Sequence, residues 1–145
     1  MNTTTRLADV FPLPDEVKRL RVLIGEWNVE VSLTFMAKSF KVKGSASFSS
    51  AAGGWGVLVT GKLEIEDLGS YEEVDVLGFD RSEKMYHFFS VTNTAAAYDH
   101  KGKWSDEDNI CFDFQSLQDG KKYSEETEVR VQTPRALVIS EKDSL

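Results

Sequence analysis

From Gly25 onward the chain alternates apolar and polar residues with a period of two. Trp27, Val29, Val31, Leu33 and Phe35 interleave with Asn28, Glu30, Ser32 and Thr34, the pattern of a strand with one buried face. Phe40, Val42, Gly44, Ala46 and Phe48 repeat it against Lys41, Lys43, Ser45, Ser47 and Ser49, and Trp55 to Ile65 continue it. Val74 to Phe79 and Met85 to Val91 are apolar on both faces. Ala95 to Trp104, Ile110 to Phe114, Tyr123 to Val131 and Ala136 to Ile139 complete the series. Turn-forming residues separate these runs at Ala51 to Gly54, Asp80 to Glu83, Ser105 to Asn109, Asp119-Gly120 and Thr133-Pro134. The spacing predicts about nine strands at intervals of roughly ten residues.

A single helix signal precedes them. Pro12 and Pro14 break the chain, Asp15 can cap a first turn, and Val17, Leu20, Leu23 and Ile24 recur at helical spacing before Gly25 stops it. No second helix is long enough for a crossover, so the sheet is expected to be antiparallel and built from hairpins. An open sheet of this size would leave bare edges and an uncovered apolar face, and closure into a barrel removes both. A two-sheet sandwich is the alternative. Gly44, Gly61, Gly78 and Gly102 lie inside strand patterns, where glycine often marks a bulge or tight bend of the kind a curled sheet needs. The expected organisation is one domain over 1–145, with an arm at 1–14, a helix at 15–24 and a barrel at 25–141. Met1 to Arg6 are expected to fray.

Composition narrows the function classes. The chain has 145 residues, enough for a core without staples, and a net charge of −7. Lys38, Lys41 and Lys43 are its nearest approach to a basic cluster and read as a solvated strand face, so nucleic acid is not an expected partner. With one cysteine, Cys111, no intrachain disulfide can form. No apolar run is long enough to span a bilayer, and the start of the chain lacks a signal-peptide pattern, so membrane insertion is not expected and the cytoplasm is the expected location.

Leu23-Ile24-Gly25-Glu26-Trp27 follows the helix and opens the first strand. This Gly-x-Trp placement resembles the signature of the lipocalins and the wider calycin superfamily. The resemblance implies that Trp27 closes one barrel end, with Gly25 beside it and a cation from Arg130 or Arg135 packed over the indole. The longer order Gly-Glu-Trp, Gly53-Gly54-Trp55, Leu77-Gly78-Phe79-Asp80, Met85-Tyr86, Tyr98-Asp99 and Tyr123-Ser124-Glu125-Glu126 resembles the DUF1579 family of lipocalin-like bacterial domains. That resemblance covers about residues 18 to 141. It implies an all-β, lipocalin-like antiparallel barrel of nine or ten strands with a pocket, and it carries no catalytic residues. Nitrobindin-like haem barrels are a further comparison, but they ligate iron through a histidine near the C-terminal end. Here the histidines are His87 and His100, so no cofactor is expected.

Candidate chemistry is sparse. Tyr98-Asp99-His100 is the densest local cluster, but Asp99 and His100 point to opposite faces of a strand and read as solvated residues, so no metal site is expected. His87, between Met85 and Phe89, would line the cavity if that face turned inward. Tyr123, Glu125 and Thr127 share one register and would present a hydroxyl, a carboxylate and a second hydroxyl to a ligand. Glu125 is the first candidate for a functional polar group and His87 the second. No nucleophile elbow, phosphate loop or zinc helix is present, and Cys111 reads as inert.

Nine Phe, four Tyr and three Trp exceed what a plugged narrow barrel requires. The expected function is therefore binding of a small hydrophobic or amphipathic molecule inside the barrel, without catalysis. Its walls are expected from Val31, Phe48, Trp55, Val57, Phe89, Phe112 and Tyr123, with Glu125, Thr127 or His87 at a polar head. Three other classes stay open. One is an enzyme acting on a polyketide- or terpenoid-like substrate through Glu125 or His87, another is a haem-binding barrel, and the third is an interaction module that forms a homodimer through residues 74–91.

Overall fold

Strand alternation and turn chemistry resolve into nine strands joined in chain order. They are β1 (Gly25–Phe35), β2 (Lys38–Ala51), β3 (Gly56–Ile65), β4 (Gly69–Asp80), β5 (Met85–Thr92), β6 (Ala97–Trp104), β7 (Asn109–Gln118), β8 (Lys121–Gln132) and β9 (Ala136–Ser144). The computed structural model describes residues 6–35, 37–132 and 135–144. Met1 to Thr5 and the turn expected at Thr133-Pro134 lie outside these residues. Each strand pairs antiparallel with its successor, and β1 closes onto β9 to complete a barrel. The fold is thus an all-β, lipocalin-like closed barrel.

The closing seam departs from a purely antiparallel plan. Asn28 to Thr34 run parallel to Ala136 to Lys142. Successive hairpins reverse direction at each step, so an odd number of strands brings the first and last together pointing the same way. The remaining ladders stay antiparallel.

Turn side chains act as their residue types suggest. Asp80 accepts from the backbone N–H groups of Ser82 (2.7 Å) and Glu83 (3.0 Å), and Asp106 does the same for Asp108 and Asn109. Asp119 and Gly120 both take positive φ, as a two-residue hairpin turn demands. Two of the four strand glycines allow a close approach. A Cβ on Gly44 would meet the Lys62 carbonyl at 2.1 Å, and one on Gly102 would meet that of Cys111 at 1.9 Å. Gly61 and Gly78 have no such crowding.

The helix is shorter than its periodicity predicts. Asp15–Leu20 (α2, after a single turn α1 at Leu7–Val10) passes into a tighter 3₁₀ turn at Arg21–Leu23. Its buried residues, Val17, Leu20 and Leu23, lie over the barrel end marked by Trp27, Val57, Ile110 and Leu137, which are buried with it. The Tyr86 hydroxyl donates to the Glu16 carbonyl (2.7 Å) and fastens the helix to β5.

That bond also fixes the phase of the two-sided strands. With Tyr86 inward, Phe88, Ser90 and Thr92 follow it inward, and β4 presents Tyr71, Glu73, Asp75 and Leu77 to the interior. Val74, Val76, Phe89 and Val91 face outward as the cross-strand pairs Val74–Val91 and Val76–Phe89, roughly half exposed. At Glu73, Asp75, Ser90 and Thr92 these strands turn polar side chains inward.

Candidate functional site

The barrel has unlike ends. At the helix end, Trp27 is buried and its indole N–H donates to the Leu23 carbonyl (2.7 Å). Arg135 lies over the indole at 5.7 Å and donates to the Ile24 carbonyl (3.2 Å). Arg130 does not reach the indole. Residues 129 and 131 point inward, so Arg130 points out and donates to Asn109 (3.2 Å). Arg19 stacks on Trp104 at 4.1 Å and donates to the Asp106 carbonyl, adding a second cation–indole contact that the sequence reading missed. Gly25, at φ +139°, faces the Arg135 guanidinium so closely that a Cβ would collide with it.

Above this plug lies a cavity of about 370 Å³. Val29, Val31, Ala46, Phe48, Val59 and Leu77 form much of its apolar wall, with Phe88 and Phe112 packed edge to face at 4.6 Å on the other side. Thr94 and Ala96 line its rim in the β5–β6 connection, at the end away from the helix, and Thr94 is exposed.

Toward that end the lining turns acidic. Glu73 and Asp75 come from β4, Glu125 from β8, and Glu141 and Asp143 from β9, with the hydroxyls of Tyr71, Tyr98, Tyr123 and Thr127 and the imidazole of His100. No lysine or arginine stands among the described lining residues. His100 is 2% exposed, stacks on Phe88 at 3.9 Å, and approaches Glu125 with Nε2 at 2.6 Å from Oε1. The Tyr123 hydroxyl donates to the other oxygen of Glu125 (3.0 Å).

These contacts sort the protons. Burial pushes Glu125 up, but hydrogen bonds from His100, Glu141 and Tyr123 outweigh it and hold the carboxyl at about 2. An ionised carboxylate can only accept, so His100 Nε2 is the donor and Nδ1 is left without a partner. Burial and the neighbouring Glu125 push Glu141 up to about 10, so Glu141 keeps its proton and donates it to Glu125. Burial and Glu73 push Asp75 to about 10 in the same way. Asp143 rises to about 6 through burial and the Glu125 charge, and burial drives the hydroxyls of Tyr71 and Tyr123 up.

Of the residues expected in the wall, Val31, Phe48, Phe112, Tyr123, Glu125 and Thr127 line the cavity. Val57 is buried in the core and Trp55 sits in the exposed turn before β3, so neither lines it. His87 and Phe89 lie on the outer surface, because the inward phase of Tyr86 turns them out. His87 bonds Asp99 (3.0 Å) and Glu83 (3.2 Å) there. His100, read as solvated, is the buried histidine, and the sequence reading also passed over Glu73, Asp75, Glu141 and Asp143. One signal was available for two of these: Leu137, Ile139, Glu141 and Asp143 share one register. The carboxylates of Glu125, Glu141 and Asp143 lie within 4.8 Å of one another.

The fold and site together define a closed barrel with one plugged end and an internal cavity that becomes acidic toward the other. No family model matches the chain, and no curated protein matches it. No helix among the described residues is long and apolar enough to cross a membrane.

Proposed function

We propose that the protein binds a small amphipathic molecule inside the barrel, apolar end toward the helix plug and polar end toward the carboxylates. The observation that carries this is the cavity of about 370 Å³, within the size range of small-molecule sites, with an apolar wall and convergent polar groups at one end. A barrel built only to fold would fill that space with side chains. Membership of the DUF1579 family and a cytoplasmic location belong to the same proposal and rest on the sequence resemblance and the single cysteine.

Gly61 offers a direct test. It lines the cavity, and a Cβ there touches nothing nearer than the Glu73 carbonyl at 3.9 Å. Nile red, a neutral apolar dye, is expected to bind the protein saturably, and Gly61→Leu is expected to abolish binding while the circular dichroism spectrum is retained. Equal dye binding by the variant would remove the cavity as the site.

A homodimer is a separate proposal, supported by the exposed pairs Val74–Val91 and Val76–Phe89 on the outer face of β4 and β5. Light scattering should then give twice the chain mass, reduced to one by Val76→Glu. A monomer at all concentrations would dispose of it.

A further inference from the structure

We propose that the molecule held in the barrel carries a protonated amine, seated among Glu125, Glu141 and Asp143 and hydrogen-bonded to the Thr127 hydroxyl. This rests on the barrel being a container and names the chemistry of what it contains.

The unsatisfied atoms around the cavity point to a donor. Thr127 is 7% exposed, lines the cavity, and its Oγ1 has no hydrogen-bond partner. Asp75 Oδ1, Asp143 Oδ1 and His100 Nδ1 are likewise buried and without a partner. The carboxyl oxygens and the Thr127 hydroxyl oxygen can each accept. Buried acceptors left unmatched are costly, and an ammonium group brings three donors and no acceptor.

Charge points the same way. Five carboxyl groups line the cavity, and His100 is the single basic side chain among the described lining residues. A ligand carboxylate or phosphate would meet the like charge of the ionised Glu125 in a poorly solvated site. A cationic head beside Glu125 would take the place of the proton that Glu141 holds there. Thr127 stands opposite Glu141 across the β8–β9 ladder and Phe112 across the β7–β8 ladder, where acidic lining meets apolar wall. A bare metal ion would use the carboxylates and leave the apolar wall unexplained, whereas an amine on a hydrocarbon body uses both.

The test compares three ligands of one chain length, decylammonium, decanol and decanoate, by displacement of Nile red from the intact protein near neutral pH. Decylammonium is expected to bind at least about tenfold more tightly than either of the others, the scale of one charge-assisted hydrogen bond. Decanol or decanoate binding as tightly would overturn the amine and leave the container standing. Failure of all three, with dye binding also absent, would remove both. Displacement of decylammonium by micromolar calcium or magnesium would assign the carboxylates to a metal and overturn the proposal. Thr127→Val removes one hydroxyl at nearly constant volume and is expected to weaken decylammonium about threefold to tenfold while leaving decanol unchanged. An equal loss for both ligands would count against a bond to the amine.

Discussion

The two ends of the barrel use the same strand alternation for different purposes. At the helix end, Leu20, Ile110 and Leu137 are almost wholly buried, and the indole N–H of Trp27 and the hydroxyl of Tyr86 both find partners, though the buried Nε1 of Trp104 has none. At the far end the inward positions of β4, β8 and β9 carry acids, and several buried polar atoms have no partner. Burial with satisfied polar groups stabilises a fold, whereas burial with unsatisfied ones weakens it and is kept where a ligand completes the bonding. One end holds the barrel together. The other costs stability, which the proposed ligand would restore.

The sharpest way to break this contrast is to damage the closed end. Leu137→Ala is expected to destabilise the protein by about 3 kcal/mol, read by urea denaturation, because the closed end cannot collapse around the lost side chain. A loss below about 1 kcal/mol would mean that this end is not the stabilising half.

The open end should behave oppositely. In the unfolded chain Asp75 and Glu141 release their protons near their ordinary values of 3.8 and 4.5, but the folded barrel holds both to about 10. Between those limits the folded state binds more protons, so unfolding free energy falls as pH rises. The favourable contribution is complete below the ordinary values and is lost as pH climbs through the folded ones. Glu125 works in reverse, and its contribution is lost as pH falls from 4.5 through about 2. Stability measured by urea is therefore expected to be higher at pH 5 than at pH 8.5. Asp75→Asn or Glu141→Gln should flatten that slope and raise stability at pH 8.5 by about 1–2 kcal/mol. A wild-type stability that rises across this range would refute the proton assignment.

The smallest effect belongs outside the barrel. His87→Ala is expected to change stability by less than about 0.5 kcal/mol and to leave Nile red affinity unaltered, because its partners Glu83 and Asp99 are exposed. A change in dye binding would place His87 in the site after all.

Closure, the helix plug and the inward register of Tyr123, Glu125 and Thr127 were legible in the sequence, because clean alternation ties each residue to a face. The strands from Val74 to Val91 were not. Apolar residues occupy both their registers, so periodicity does not choose between them, and the choice is made by Tyr86 bonding to the helix. His100 escaped for a related reason. Its strand reads as polar unless Tyr98, His100, Gly102 and Trp104 are taken as one inward row, and Gly102 supplies no side chain to mark it. Arg135 and Arg130 were equally eligible as partners of Trp27, and strand parity decides between them.

The parallel seam between β1 and β9 fixes where anything joined to the barrel must emerge. A meander with an even number of strands enters and leaves at the same pole, whereas this one enters beside the helix plug at Gly25 and leaves at Ser144, at the acidic pole. A reporter fused ahead of α2 would therefore ride on the sealed pole, far from the acidic rim. The same reporter placed after β9 would stand at the acidic pole, beside the rim of the cavity.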